Sequence, residues 1–123
     1  MKIGILGAGK TGRGFLARLF SHQGELIFFD KDPALIERLR REGSYLVRFY
    51  HGAPPVRIGD YRAYSVADVA ALDAAASCEA IFVSVRGENA AEAGRFLLAA
   101  APNRFVAACE NAADPASLLG DFW

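Results

Sequence analysis

The sequence predicts an α/β fold: a doubly wound, mainly parallel β-sheet with helices on both of its faces. One observation predicts this fold class, and a second predicts that the chain forms a single domain. Short apolar runs typical of buried strands alternate along the chain with segments of helical periodicity. The chain also has 123 residues, of which 53% are apolar and 23% are charged. This is the size and composition of one folded domain rather than of a disordered chain.

The first third of the chain contains two predicted strands and two predicted helices. Lys2–Leu6 is an apolar run that ends at a glycine, which predicts a buried strand. From about residue 11 to 23, apolar residues recur at helical spacing. Leu26–Phe29 is the second strand. Asp32-Pro33 then supplies the N-cap and first-turn proline of a second helix, which Gly43 ends.

The segment around residues 44–64 has a different character. Tyr45–Tyr50 and about Val56–Tyr64 are rich in β-branched and aromatic residues, and a glycine and two prolines lie between them. This composition predicts a β-ribbon or irregular insertion around residues 44–64.

The alternation of strands and helices returns in the second half of the chain. The pattern predicts two helices, Val66–Ala76 and Glu88–Ala101, and two strands, Ala80–Val85 and Phe105–Ala108. Asp114-Pro115 predicts the start of one more helix.

Charge and composition exclude several classes of function. The 14 basic and 14 acidic side chains give a formal net charge of zero, so we expect neither nucleic acid nor a membrane as a partner. No apolar run approaches the roughly 20 residues of a membrane span, and no signal peptide pattern opens the chain. We therefore expect a cytoplasmic protein. The two cysteines and two histidines are scattered, a spacing that predicts no metal site.

One loop carries two overlapping phosphate-binding patterns. Gly7–Gly12 matches G-x-G-x-x-G, a dinucleotide-binding pattern, and Gly4–Thr11 matches G-x-x-x-x-G-K-[ST], the phosphate loop of nucleotide triphosphatases. A phosphate loop follows its strand, and with Gly4 as its first glycine only residues 1–3 would remain for that strand. The dinucleotide pattern is therefore favoured, and it gives each glycine a role. Gly7 permits the tight turn, Gly9 lets the backbone approach a pyrophosphate, and Gly12 lets the helix pack on the strand.

The remaining loop residues and the end of the second strand complete this predicted site. Ala8, Lys10 and Thr11 lie in the loop, where the helix that begins near Lys10 would point its N–H groups at the phosphates. Asp30 lies 23 residues after Gly7, at the position where an acidic residue binds the adenosine ribose. Its carboxylate would repel a 2′-phosphate, which favours NAD over NADP. The neighbouring Lys31 could instead hold that phosphate, so NADP is the second choice.

The segments that follow the later strands are predicted to reach the nicotinamide end of the cofactor, because ligands of such sheets bind at the carboxyl ends of the strands. Val85, Arg86 and Gly87 could wall the nicotinamide, and Glu110 and Asn111 could contact it or its ribose. The alternatives are a solvated loop cation at Arg86 and ordinary turn or capping residues at the other polar positions.

Several stretches of the sequence resemble a known family. Residues 7–15 read G-A-G-K-T-G-R-G-F, similar to the opening of the mannitol (polyol) long-chain dehydrogenases, closest to their mannitol-1-phosphate 5-dehydrogenase branch. Three further stretches agree in order and approximate spacing: Phe29-Asp30, Ser-Tyr-Leu-Val at 44–47, and Ala-Cys-Glu-Asn at 108–111.

The resemblance implies that residues 1–123 form an NAD-binding Rossmann-type domain. In the family, a catalytic lysine and the asparagine and histidine that assist it lie in a mostly helical C-terminal domain. No residue here matches that lysine motif, so we assign no catalytic residue. We expect a truncated chain that binds the dinucleotide and is inactive alone. Without the partner domain, apolar surface would be uncovered, which leaves self-association open.

The function predicted from the sequence is thus the NAD(H)-binding domain of a polyol dehydrogenase, with hydride transfer between mannitol 1-phosphate and fructose 6-phosphate as the parent reaction. Three alternatives stay open: a stand-alone NAD-sensing regulatory module, a P-loop-type nucleotide triphosphatase that uses Lys10 and Thr11, and another two-domain dehydrogenase such as a sugar-acid reductase.

Overall fold

The computed structural model describes residues 1–9, 11–48, 54–85, 87–100 and 105–108. Its strands are β1 (Lys2–Leu6), β2 (Glu25–Asp30), β3 (Ser44–Val47), β4 (Val56–Gly59), β5 (Arg62–Ser65), β6 (Ala80–Val83) and β7 (Phe105–Ala108). Its α-helices are α1 (Ala17–Phe20), α2 (Pro33–Glu42), α3 (Val69–Ala76) and α4 (Ala90–Ala100). A π-helical segment, Thr11–Leu16, leads into α1, and a 3-10 turn, Gly87–Asn89, leads into α4.

The main sheet has five parallel strands in the order β5-β2-β1-β6-β7. From β1 the chain builds outward through β2 to β5, and then returns to the other side of β1 for β6 and β7. The strand order therefore reverses beside β1, at the carboxyl ends of β1 and β6, where such sheets bind ligands. The predicted doubly wound parallel sheet is confirmed.

Two hydrophobic cores lie on opposite faces of this sheet. The core under α1, α2 and the β3–β4 pair includes Ile5, Leu16, Phe28 and Ile36. The core under α3 and α4 comprises, among others, Phe29, Ala71, Ile81 and Leu97. Because β1 and β2 contribute to both cores, their near-continuous apolar sequence is that of strands covered on both faces.

The predicted β-ribbon is formed by β3 and β4, which pair antiparallel with Tyr45 opposite Ile58. The segment Val56–Tyr64 is not one strand, however. It breaks after Gly59 at Asp60, whose φ of 56° is left-handed, and Arg62–Ser65 joins the main sheet beside β2. The ribbon thus ends at Gly59, and the following strand is part of the doubly wound sheet.

The boundaries of three helices differ from the prediction. The first helix ends at Phe20 rather than Gln23, and its opening segment is π-helical. The third begins at Val69 rather than Val66, because the Val66 N–H donates to the Asp30 carbonyl (3.0 Å) and a turn at Ser65 precedes the helix. The fourth begins at Ala90 rather than Glu88, since Gly87–Asn89 is a 3-10 turn. The predicted helix at Asp114-Pro115 lies outside the described residues.

The predicted start and end of α2 are confirmed. Asp32 Oδ1 accepts hydrogen bonds from the N–H groups of Ala34 (3.0 Å) and Leu35 (3.4 Å). Gly43 ends the helix with a φ of 69°, a conformation that glycine adopts without steric cost. Across the described ranges, no helix has the length and apolar character needed to span a membrane.

Candidate dinucleotide-binding site

The glycine-rich loop follows β1 at the point where the strand order reverses. Gly7 has a φ of 99°, and its N–H donates to the Phe29 carbonyl at the end of β2 (2.7 Å). A Cβ atom on Gly7 would overlap the Ser84 carbonyl oxygen, and one on Gly12 would overlap the Gly7 carbonyl oxygen. Both positions therefore require glycine because the backbone segments approach each other too closely for a side chain.

Gly9 differs from these two glycines because no described atom lies within 4 Å of a Cβ placed on it. The packing of the described residues therefore does not need glycine at this position. A missing side chain at an open surface allows another group to approach the backbone closely, which is the role the dinucleotide pattern gives its second glycine. The Arg13 N–H donates to the Gly9 carbonyl (2.9 Å), so the first helical turn starts directly from this residue.

Asp30, at the end of β2, is hydrogen-bonded to the loop. Its Oδ2 accepts from the Ala8 N–H (2.7 Å), and its Oδ1 accepts from the Asp32 N–H (2.9 Å). The sequence pattern placed Asp30 beside the loop but did not reveal that the carboxylate fixes the loop backbone. Each carboxylate oxygen retains a second lone pair, so the half-buried side chain can still accept hydrogen bonds from a ligand.

Lys31 extends from the end of β2 toward the residues that follow β6. Its Nζ donates to Asn89 Oδ1 (2.6 Å); Lys31 is exposed and Asn89 is half-buried. This hydrogen bond joins segments on the two sides of β1. Sequence reasoning missed Asn89, because nothing in the local pattern relates residues 58 positions apart.

Val85 lies behind the glycine loop. A Cβ placed on Gly7 would come within 3.0 Å of Val85 Cγ1, and the partly buried Val85 side chain packs against the core under α3 and α4. Gly87 opens the 3-10 turn that follows. Thr11 begins the π-helical segment. The other four predicted site residues lie outside the described residues: Lys10, Arg86, Glu110 and Asn111.

The structure argues against the phosphate-loop pattern. Gly4, which would be its first glycine, lies in the middle of β1 and is paired with Ile27 on one side and Ile81 on the other. A Cβ on Gly4 would come within 3.1 Å of Cys78 Sγ, so this glycine is needed for core packing. The loop proper begins only at Gly7, as the dinucleotide pattern requires.

The family whose description is "NADP oxidoreductase coenzyme F420-dependent" matches residues 2–109. The chain belongs to this family. It is an NAD(P)-binding, Rossmann-type oxidoreductase domain, so the oxidoreductase class and the nucleotide-binding fold expected from the sequence are confirmed. No curated protein sequence matches the chain.

Solved structures similar to this member of the F420-dependent NADP oxidoreductase family show the same fold. A ketopantoate reductase from Ralstonia eutropha JMP134 has a TM-score of 0.74 at 20% identity, over 98% of this chain and 38% of its own. A malate dehydrogenase from Salinibacter ruber has a TM-score of 0.63 at 14% identity, over 99% of this chain and 41% of its own. The TrkA-N domain of the inner membrane protein ybaL from Escherichia coli has a TM-score of 0.63 at 16% identity, over 98% of this chain and 81% of its own. The chain thus spans well under half the length of the two enzymes.

Proposed function

We propose that this chain binds NAD(H) at the carboxyl ends of β1 and β6 and orients it for hydride transfer in a larger oxidoreductase. The observation that carries the proposal is the hydrogen bond from the Ala8 N–H to Asp30 Oδ2 (2.7 Å). It fixes the open backbone at Gly9 and the acidic residue at the end of β2 as one unit. These are the two groups that pyrophosphate and adenosine ribose require.

The residues fit this cofactor in separate ways. The first helical turn, which starts at Gly9, directs its N–H groups and the positive end of its dipole toward the loop, where they would stabilise a pyrophosphate. Asp30 would accept hydrogen bonds from the ribose hydroxyls through its remaining lone pairs. On the nicotinamide side, Val85 and Gly87 would form the wall. Glu110 and Asn111, which follow β7, are proposed to contact the nicotinamide or its ribose.

The bound dinucleotide would supply hydride at C4 of its nicotinamide, and the protein would supply binding and orientation. No described residue is assigned as a proton donor or acceptor for the substrate. We propose that this group belongs to a partner domain, so that the isolated chain binds the cofactor with little or no turnover.

We propose NAD as the preferred form, although the family description names NADP. A carboxylate at the ribose position repels a 2′-phosphate. The Lys31 ammonium keeps its charge, because Asn89 is neutral, but the hydrogen bond to Asn89 directs it toward the segment that follows β6. Titration of the chain with NADH and NADPH, followed by nicotinamide fluorescence, tests this preference.

In the same titration, Asp30→Asn should weaken NADH binding about tenfold, the loss typical of a hydrogen bond to a charged group. It should weaken NADPH binding less, because the repulsion disappears as well. Asp32→Asn is the matched control, since asparagine caps α2 as well as aspartate does. Tighter binding of NADPH than of NADH by the unaltered chain would contradict the proposed preference.

Two reactions are candidates for the complete enzyme. The resemblance to the polyol dehydrogenases supports reduction of fructose 6-phosphate to mannitol 1-phosphate, and the family description supports hydride exchange between a nicotinamide and coenzyme F420. Of these two reactions, we propose the reduction of fructose 6-phosphate as the first candidate. An assay of the complete enzyme with NADH and fructose 6-phosphate, beside one with NADPH and oxidised F420, distinguishes them by which mixture oxidises its nicotinamide.

A further inference from the structure

A second groove lies beside the dinucleotide loop, between the π-helical segment, α2 and the ribbon strand β3. Its volume is about 540 Å³, within the range of roughly 300–1,000 Å³ typical of small-molecule sites. Leu35, Leu39 and Val47 contribute apolar side chains to its wall. Three arginines also line it, with one carboxylate among them, that of Glu42: Arg13, Arg38 and Arg57.

Arg13 is the unusual residue of this groove. Its Nε is shielded from solvent and has no hydrogen-bond partner among the described residues. The ion pairs formed by the described residues do not include Arg13. The rest of this half-buried side chain reaches the groove. A shielded N–H group without an acceptor is destabilising, so the position favours an anion supplied from outside the described fold.

Two hydrogen bonds fix the backbone of Arg13 beside the groove. The Tyr45 hydroxyl donates to the Arg13 carbonyl (2.8 Å), and the Arg13 N–H donates to the Gly9 carbonyl (2.9 Å). Glu42 lines the same groove, but its Oε1 accepts from Arg38 Nε at 3.1 Å. Arg57 donates to the Ser44 hydroxyl (2.9 Å), a neutral partner that leaves its charge uncompensated.

We propose that this groove binds a small organic phosphate ester, in addition to the dinucleotide held at the glycine loop. Three guanidinium groups against one carboxylate call for more than one negative charge, and a phosphate monoester carries about −1.5 to −2 at neutral pH. The planar N–H donors of arginine fit phosphate oxygens in pairs. The apolar wall favours an ester with a carbon body over inorganic phosphate.

The test uses the 123-residue chain, alone and saturated with NADH, with phenyl phosphate and inorganic phosphate as probes. Binding is measured by calorimetry and by the NMR resonance of the Arg13 Nε–H group. We expect phenyl phosphate to shift this resonance and to bind at least about tenfold more tightly than inorganic phosphate, because the ring buries apolar surface. Equal affinity for the two probes would mean an adventitious ion only and would overturn the proposal.

Substitutions locate the binding. Arg13→Met should weaken phenyl phosphate binding by at least about tenfold, and Arg38→Ala and Arg57→Ala several-fold. Arg41→Ala is the matched control, because Arg41 is on the same helix, pairs with Glu37 and does not line the groove. If Arg13→Met fails to fold, Arg38→Ala, Arg57→Ala and the Arg13 resonance of the unaltered chain still decide the question.

Two further results would also contradict the proposal. Loss of phenyl phosphate binding on saturation with NADH would show that Arg13 serves the pyrophosphate of the dinucleotide instead. Equal weakening in Arg41→Ala and in the groove variants would show only a general attraction of the basic surface.

Discussion

At the scale of single residues, Asp30 supports the fold as well as the proposed site. Its two oxygens accept from the backbone N–H groups of Ala8 and Asp32, and the first of these bonds is partly buried. A backbone donor that loses its partner inside a protein destabilises the native state. The loop conformation therefore depends on this carboxylate even without a ligand.

Asp30→Ala should lower the free energy of unfolding by about 1–3 kcal/mol, because the Ala8 N–H loses its acceptor. Asp30→Asn should lower it less, since the amide oxygen can replace one of the two carboxylate oxygens. Urea unfolding of the three proteins without cofactor checks this order. Equal stability of Asp30→Ala and the unaltered chain would mean that the bond does not support the loop.

Gly12 and Gly14, two glycines of the same π-helical segment, should respond differently to replacement by alanine. Gly12→Ala should lower the free energy of unfolding by about 1–3 kcal/mol, because its Cβ would overlap the Gly7 carbonyl. Gly14→Ala is the matched control, since no described atom lies within 4 Å of a Cβ there. It should be neutral or stabilising by up to about 1 kcal/mol. Thermal unfolding of the two variants compares them. A less stable Gly14→Ala variant than Gly12→Ala would show that the loop packing is described wrongly.

Local sequence predicted the residues whose role depends on neighbours along the chain. The Asp32 cap, the Gly43 end of α2 and the glycine loop all follow from patterns a few residues long. The Lys31–Asn89 hydrogen bond and the groove around Arg13 depend on which elements become neighbours in three dimensions. No periodicity of the sequence carries that information.

At the scale of elements, the β3–β4 ribbon is attached to the rest of the domain through aromatic side chains. Tyr45 contacts Phe28 and Tyr61, with ring centroids 6.3 Å and 5.7 Å apart. Its hydroxyl donates to the Arg13 carbonyl. The composition of residues 44–64 predicted this ribbon. It did not reveal that Arg62–Ser65 extends the main sheet, because an edge strand and a ribbon strand have the same β-branched and aromatic character.

The ribbon should also lower the free energy of unfolding at alkaline pH. Burial, with a smaller contribution from Tyr61, raises the pKa of Tyr45 above its usual value, and Arg13 opposes the shift. The folded chain therefore keeps the Tyr45 proton at pH values where the unfolded chain loses it. Stability from this group is fully present below about pH 10, the pKa of an unfolded tyrosine, and falls as the pH rises further.

Tyr45→Phe should remove part of this alkaline decline. At neutral pH the variant should be less stable by about 0.5–1.5 kcal/mol, because the hydrogen bond to Arg13 is lost. Urea unfolding of both proteins in a series of buffers from neutral to strongly alkaline pH gives the two slopes. The same decline above pH 10 in both proteins would assign the effect to other groups.

At the scale of the whole molecule, the parallel sheet brings the ends of β1, β2 and β6 to one edge. This arrangement joins Gly7, Gly9, Gly12, Asp30 and Val85, which come from three separate parts of the sequence, into one candidate site. The sequence predicted this convergence because parallel strands with helical crossovers have their carboxyl ends at the same edge. The substrate could not be predicted in the same way, since the chain spans only 38% of the ketopantoate reductase that it resembles.

The central claim is that the open backbone at Gly9 binds a dinucleotide. Calorimetric titration of the chain with NADH and with Mg-ATP, repeated on Gly9→Ala and Gly14→Ala, tests it most directly. We predict that NADH binds and Mg-ATP does not. Gly9→Ala should lose NADH binding without a change in thermal stability, and Gly14→Ala should bind as the unaltered chain does. Binding of Mg-ATP alone, or NADH affinity unchanged by Gly9→Ala, would contradict this account.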